Sequence, residues 1–355
     1  MRRLPDIAPV LALAVLVAAV LMPLSLVLSA LCVIALVGAV LSAVHHAEVV
    51  AHRVGEPFGT LVLAVAITVI EVALIISLML AGGPGKAALP RDTIYAAVMI
   101  ICNGVVGVCL LVGGLHHREQ SFRIEGTGPG LAALVALSTL SLVLPTFTTS
   151  SPEGTYTHSQ LVFVGASSLV LWAVYVFVQT VRHRDYFLPH VGADDEQAHA
   201  PPPGLARTWT SLGLLLMSLV GVVGLAKVLS PLIEGAVAAA SAPKAVVGIV
   251  IAMLVLLPET WAAVRAARAD RLQTSMNLAI GSALASIGLT IPAVVAASVV
   301  LGLPLVLGLE SKDMVMLGLT FLVGSITLAS GRTNVMQGAV HLVIFAAFLF
   351  LALVP

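Results

Sequence analysis

Two long apolar segments of the chain each contain one glutamate. The first, GTLVLAVAITVIEVALIISLML (residues 59–80), holds Glu71, and the second, AVVGIVIAMLVLLPETWAAV (residues 245–264), holds Glu259. Each is long enough to cross a bilayer as a helix, which takes about 20 residues. A carboxylate inside the membrane costs at least ~2.5 kcal/mol, so it is expected to be protonated, paired or bound to a cation. The two glutamates therefore predict one ion site built twice; the alternative is that they only pair with other polar groups in a helix bundle.

The composition is that of an integral membrane protein. Apolar residues make up 59% of the chain and charged residues 10%, against about 25% charged residues in soluble domains. The formal net charge is zero, so no nucleic-acid partner is expected. The sequence has no HExxH or CxxC motif, and Cys32, Cys102 and Cys109 lie in apolar stretches, where we expect them to pack as small hydrophobic residues. We expect no enzyme activity and no permanently bound cofactor.

Apolar runs predict an all-α integral membrane protein with about eleven transmembrane helices. The runs cover residues 5–22, 26–44, 57–82, 92–114, 129–149, 159–180, 208–229, 243–266, 272–301, 313–330 and 334–354. Twelve of the 17 lysines and arginines then fall on the side of the N-terminus and five on the other side. By the positive-inside rule this predicts a cytoplasmic N-terminus, and the odd helix count puts the C-terminus in the periplasm.

A polar segment divides the predicted helices into two groups of five. Residues 182–207 are rich in proline, histidine and acidic residues, and we predict that they form a cytoplasmic linker. The predicted domains are one extra helix at 1–24, a first repeat at 25–181 and a second repeat at 208–355. Because five is odd, two like repeats must be inverted relative to each other, and transporters of this plan bind their substrate at the midplane between the repeats.

Four stretches of the chain carry a family resemblance. They are GEPFGTLVLAVAITVIE (residues 55–71), LLPETW (residues 256–261), GSALASIGLTIP (residues 281–292) and GRTNVMQGAVHLVIF (residues 331–345). In this order they resemble the motifs of calcium/proton exchangers in the cation/calcium exchanger superfamily, and most of all its bacterial sodium(potassium)/calcium–proton antiporter branch. The resemblance covers about residues 40–355. It implies the eleven-helix fold, cation/proton exchange and a place in the bacterial inner membrane.

The chain departs from the family pattern beside both glutamates. Thr68 and Leu256 stand where the family usually has asparagine, three residues before each glutamate. Thr260 stands where it often has histidine, and Ala285 where it has glutamine. Fewer amide oxygens would therefore surround the ion. Calcium takes six to eight oxygen ligands, so we expect calcium binding to be weak.

Several polar groups are predicted to complete the ion shell around the two glutamates. Proline at 258 has no N–H, which leaves the carbonyl of residue 254 without its helical partner. The predicted shell consists of this Leu254 carbonyl with Thr68, Asn103, Thr260, Ser282 and Ser286. The hydroxyl groups have an alternative role, since small hydroxyl residues also pack helices or bond back to the backbone.

Two other ionisable positions have open interpretations. Glu56 precedes the helix of Glu71 and is predicted either as an entry or gating carboxylate or as a complement to the helix dipole. His341 lies within the last apolar run, where it belongs either to a proton path or to a satisfied buried polar pair.

The carboxylates themselves predict a mode of action. One Ca²⁺, two protons, or one Na⁺ and one proton would each neutralise two carboxylates, and an unneutralised site is costly in low dielectric. Cation and proton therefore compete, so we predict an antiporter that exchanges Ca²⁺, Na⁺ or both for protons by alternating access. The partners would be the bilayer, inorganic cations and protons. Two alternatives remain open: a Na⁺/K⁺–proton antiporter with little Ca²⁺ transport, and a membrane scaffold or enzyme that does not transport.

Overall fold

Helices make up almost all of the regular structure. A computed structural model describes residues 4–55, 58–80, 86–152, 154–187, 203–239, 243 and 245–354. The helices in these ranges are α1 (Leu4–Leu21), α2 (Leu26–Val54), α3 (Phe58–Leu80), α4 (Leu89–Met99), α5 (Val106–His117), α6 (Ile124–Ser138), α7 (His158–Phe177), α8 (Leu205–Ala239), α9 (Ala245–Arg268), α10 (Leu272–Leu301), α11 (Ser311–Ala329) and α12 (Val335–Leu353). A π-helical turn, Ile100–Val105, joins α4 to α5 without a break.

The all-α membrane fold predicted from the sequence is confirmed. Nine helical segments of the described ranges are long and apolar enough to cross a membrane, and α9 makes a tenth if its two inclined halves count as one span. Helix α3 contributes a shorter apolar stretch, Val65–Leu80. The count of eleven stays a prediction. Helix α2 runs well past the predicted end at residue 44, because residues 45–54 contain no glycine or proline; the helix ends at Gly55, whose φ is 79°.

The chain forms two compact units, and the first contains α1, α2, α3 and α8. It comprises Met1–Lys86 and Asp195–Val247. Helix α2 packs against the other three helices. A polar cluster joins the first residues of α1 to α2 and α8: the Ser42 hydroxyl donates to the Pro5 carbonyl over 2.6 Å, and Arg207 pairs with Asp6 at 2.9 Å. These contacts hold α1 against its neighbours at one end.

The second unit contains α4 to α7, α10 to α12 and α9 from Gly248 onward. It comprises Ala87–Asp194 and Gly248–Pro355. Helix α10 packs against α6 and α7, and α12 packs against α5. The strands β1 (Gln120–Ser121) and β2 (Arg332–Thr333) pair antiparallel after α5 and α11. The sequence did not predict them, because two residues are too few to show the alternation of a strand.

The predicted domain boundaries remain untested by this division. Each unit contains helices from both predicted repeats. This does not contradict an inverted repeat, because such a repeat concerns the order and direction of helices and not which helices cluster together. Residues 188–202 of the predicted linker lie outside the described ranges. At the ends of that linker, Arg182 closes the π-helical turn that follows α7, and α8 begins at Leu205.

Glycines let α5 and α12 approach closely. A Cβ added to Gly338 of α12 would lie under 3.0 Å from the backbone of Leu111 in α5. A Cβ added to Gly107 of α5 would lie 3.1 Å from the Cβ of His341. Such small-residue contacts are typical of helix pairs in membranes, where close backbone packing replaces the hydrophobic effect as the source of association.

We expect Gly338→Ala to destabilise the protein, because the new methyl group meets backbone that cannot rotate away. Overpacking of this kind typically costs about 1–3 kcal/mol. Gly318→Ala in α11 is the matched control, since a Cβ there meets nothing within 4 Å. The measurement is the thermal unfolding midpoint of both variants in detergent. Equal midpoints for the two variants would show that the α5–α12 contact is not tight.

The predicted orientation is testable at three exposed positions. Glu119 follows α5, Ser159 lies at the start of α7 and Arg184 follows α7. In a background without the native cysteines, Ser159→Cys should react with a membrane-impermeant maleimide from outside the cell, whereas Glu119→Cys and Arg184→Cys should react only after permeabilisation. Labelling of positions 119 and 184 from opposite sides of the membrane would contradict the inverted arrangement.

Candidate cation site

Helix α9 is bent where it carries Glu259. Its halves, Ala245–Leu257 and Glu259–Arg268, are inclined by 54° to each other. The sequence has proline at the intervening position, and proline inside a helix typically bends it, because the residue has no N–H for the carbonyl four residues earlier. The sequence predicts a freed carbonyl at Leu254 but does not predict the bend. The role of that carbonyl as a ligand stays a prediction.

The carboxylate of Glu259 meets a hydroxyl of the neighbouring helix. Ser282 of α10 donates a hydrogen bond to Glu259 Oε2, and the glutamate side chain is half-buried. This contact brings together two residues of the predicted ion site that lie in different helices. A hydrogen bond to a charged acceptor is stronger than one between neutral groups.

A small cavity adjoins this pair. It measures about 10 Å³, close to the smallest volume that holds one water molecule. Its lining is contributed by α9 (Leu256, Glu259, Thr260, Ala263), by α10 (Leu278, Ala279, Ser282) and by the π-helical turn (Ile101, Val105). An ion that enters a space of this size must lose most of its hydration shell. Glu259, Thr260 and Ser282 are the polar residues among those that line it, and the remaining lining residues are apolar.

The cavity contains two of the positions at which the chain departs from the family pattern. Leu256 is buried and turns an apolar side chain into the lining. Thr260 contributes its hydroxyl, which donates to the Leu256 carbonyl over 2.7 Å. A hydroxyl oxygen that donates its proton still has lone pairs for a cation. The cavity thus offers fewer oxygen ligands than calcium usually takes.

Asn103 and Ser286 belong to the predicted shell but not to the lining of this cavity. Asn103 lies in the π-helical turn, where its amide nitrogen donates to Thr320 over 2.9 Å and its amide oxygen lies 3.3 Å from His341 Nδ1. Ser286 is buried on α10, one turn after Ser282. The interpretation of His341 as a satisfied polar group has support, because both of its ring nitrogens have partners. The apolar pattern gave no signal of which polar groups pair.

The other predicted site residues lie in the first unit or outside the described ranges. Glu71 and Thr68 are buried in α3, 4% and 5% exposed, and lie three residues apart on one face. Glu71 and Glu259 belong to different units, so a site shared by both glutamates stays a prediction. Glu56 lies outside the described ranges. Burial of a carboxylate in an apolar helix marks a functional group by default.

Fold and site together define a class of protein. A multi-span helical protein with a bent helix that presents a carboxylate to a small cavity has the features of a secondary transporter. The chain belongs to the family described as sodium/calcium exchanger protein, whose sequence pattern matches residues 24–181 and 210–354. It is therefore a multi-pass membrane transporter and not an enzyme, and the resemblance found in the sequence is confirmed.

Relatives and solved structures agree with this family. The chain is 52% identical to a Sinorhizobium fredii protein named as an ionic transporter, y4hA, over 90% of this chain and 87% of that protein. It is 34% identical to the sodium-potassium/proton antiporter ChaA of Escherichia coli, over 97% and 94%. Its fold is similar to native YfkE, with a TM-score of 0.73 and 17% identity over 98% of both chains. The H⁺/Ca²⁺ exchanger CAX gives a TM-score of 0.71 and 13% identity, over 97% and 86%.

Proposed function

We propose that this protein is a cation/proton antiporter of the bacterial inner membrane, which exchanges Ca²⁺, Na⁺ or both for protons by alternating access. The observation that carries the proposal is the Glu259 carboxylate, hydrogen-bonded by Ser282 at the edge of a cavity about as large as one water molecule. The Lys/Arg asymmetry supports an N-terminus in the cytoplasm and a C-terminus in the periplasm.

The exchange follows from competition at the carboxylate. In a low-dielectric site, Glu259 is neutralised either by a proton or by a cation, because the bare charge is too costly to bury. When a cation binds, the Ser282 hydroxyl can turn its proton away and offer a lone pair, since a hydroxyl both donates and accepts. Thr260 supplies a second oxygen of the same kind. The carboxylate and the two hydroxyl oxygens can then bind either a proton or a cation, but not both at once.

In this proposal Glu71 is the second carboxylate that balances the charge of the transported ions. It is buried in an apolar helix, as Glu259 is partly buried in another, and it occupies the corresponding motif of the first predicted repeat. Two carboxylates balance one Ca²⁺, two protons, or one Na⁺ and one proton. Because every one of these occupants removes both charges, we propose that the exchange cycle needs both glutamates.

A specific observation favours monovalent exchange as the second candidate. The apolar Leu256 lines the cavity where the family usually supplies an amide oxygen, and sodium needs fewer oxygen ligands than the six to eight of calcium. The Escherichia coli relative, 34% identical, is named a sodium-potassium/proton antiporter. An Aphanothece halophytica relative that is 24% identical over 76% of this chain is named a Ca²⁺/H⁺ antiporter. Both names support cation/proton exchange, and they differ in the cation.

Replacement of either glutamate tests the central claim. Glu71→Gln and Glu259→Gln keep the shape of the side chain but remove its charge, so we expect each to reduce exchange at least about a hundredfold, which corresponds to about 2.8 kcal/mol. The measurement is cation-driven change of internal pH in proteoliposomes, with Na⁺ and Ca²⁺ added separately. Glu119→Gln, an exposed carboxylate that pairs with Arg332, is the control and should exchange normally. Normal exchange by Glu259→Gln would overturn the proposal.

Leu256→Asn tests the choice of cation. The new amide oxygen would enter the cavity beside Glu259, so we expect the ratio of Ca²⁺ to Na⁺ transport to rise by about tenfold, the effect of one additional ligand worth about 1.4 kcal/mol. Leu256→Met is the control, because it keeps the volume of the side chain and adds no oxygen. The ratio is measured in the same proteoliposomes. An unchanged ratio in Leu256→Asn would show that coordination at this position does not set ion preference.

A further inference from the structure

Four buried polar side chains form a continuous hydrogen-bonded chain behind the Glu259 cavity. They are Asn103 of the π-helical turn, Thr320 and Thr327 of α11, and His341 of α12, and each is at most 3% exposed. Thr327 Oγ1 lies 3.0 Å from His341 Nε2, His341 Nδ1 lies 3.3 Å from Asn103 Oδ1, and Asn103 Nδ2 lies 2.9 Å from Thr320 Oγ1. All four belong to the second unit.

The hydrogen-bond directions in this chain are mutually consistent. The Thr320 hydroxyl donates to the Met316 carbonyl over 2.8 Å, so its oxygen accepts from the Asn103 amide nitrogen. The amide oxygen of Asn103 then faces His341, and since it can only accept, His341 Nδ1 carries the proton. His341 Nε2 lies 3.0 Å from the Thr327 hydroxyl, so both nitrogens of the imidazole are hydrogen-bonded.

The π-helical turn that contains Asn103 is held by these hydrogen bonds, and it also forms a wall of the cavity beside Glu259. Ile101 and Val105 of the π-helical turn line the cavity beside Glu259, whereas Asn103, between them in sequence, bonds to α11 and α12. Residues four apart share a helix face, so the turn presents an apolar face to the cavity and its amide away from it. A π-helical turn departs from regular helix geometry and is common at functional sites.

Close packing brings the histidine to this turn. Gly107, which follows the turn, leaves room for the His341 backbone and Cβ, and the Gly338 contact lets α12 lie against α5. His341 therefore reaches Asn103 directly from α12. The position of the turn depends on these contacts because an amide buried in an apolar span is costly when its partners are absent.

We propose that His341 is a positioning residue: through Asn103 it holds the π-helical turn in the place that sets the affinity of the Glu259 cavity for the transported cation. This inference rests on the proposed function, in which Glu259 binds that cation. His341 does not touch the cavity and carries no transported proton. Its role is to supply Asn103 with the donor that keeps Ile101 and Val105 against the ion site.

The test separates positioning from proton transfer by the choice of side chain. His341→Leu removes both hydrogen bonds and should raise the KM for the exchanged cation about five- to tenfold, with a smaller change in kcat. His341→Asn keeps a donor near the position of Nδ1 but cannot titrate, so its KM should lie within about twofold of the unmodified protein, with an unchanged pH profile. Ser325→Ala, an exposed hydroxyl on α11, is the matched control.

The readouts are KM and kcat for Na⁺ and for Ca²⁺, each measured across pH in proteoliposomes. If His341→Leu does not fold, Thr320→Val removes the acceptor on the other side of Asn103 and should raise KM in the same way. An unchanged KM in His341→Leu and Thr320→Val, or a shifted pH profile in His341→Asn, would overturn the proposal. Glu259→Gln is measured in parallel: loss of exchange there together with a normal KM in His341→Leu would refute this inference alone, whereas normal exchange there would refute the proposed function.

Discussion

The cost of keeping a carboxylate in a low-dielectric interior governs the arrangement around Glu259. The charge must be neutralised by a proton or a cation, or stabilised by polar neighbours, and the Ser282 hydroxyl is the neighbour that the structure provides. One hydroxyl group is too little to stabilise the ionised carboxylate, so binding of a proton or a cation to it is still favoured. The small cavity beside Glu259, on the bent helix α9, is where we propose that this proton or cation binds.

The helices around the cavity divide their polar and apolar groups by face. Ile101 and Val105 turn apolar surface toward the ion site, while Asn103 satisfies its amide with α11 and α12. Glycine contacts between α5 and α12 make this possible, because bulkier residues would keep His341 too far away. Polar groups that are fully bonded among themselves do not compete for the transported ion, and they make the wall of the cavity rigid.

Proteins similar to this chain are named for different cations. The chain has TM-scores of 0.73 with YfkE and 0.71 with an H⁺/Ca²⁺ exchanger at 17% and 13% identity, whereas a relative at 34% identity is named for sodium and potassium. A shared fold therefore does not by itself fix the transported cation. Within the cavity described here, Leu256 is the position at which a single oxygen would change the ligand set most directly.

The sequence by itself determined the helical membrane fold, because long apolar runs depend on local composition, and it singled out the residues that we propose for the site. Span 272–301 was predicted with the bounds of α10, and Glu259 and Ser282 were both predicted for one ion shell. Only the tertiary structure decided that Ser282 meets Glu259 and that Asn103 bonds to His341 instead of lining the cavity. Such pairings depend on how each helix is rotated and shifted against another, and an apolar pattern that is nearly uniform around a membrane helix carries little information about either.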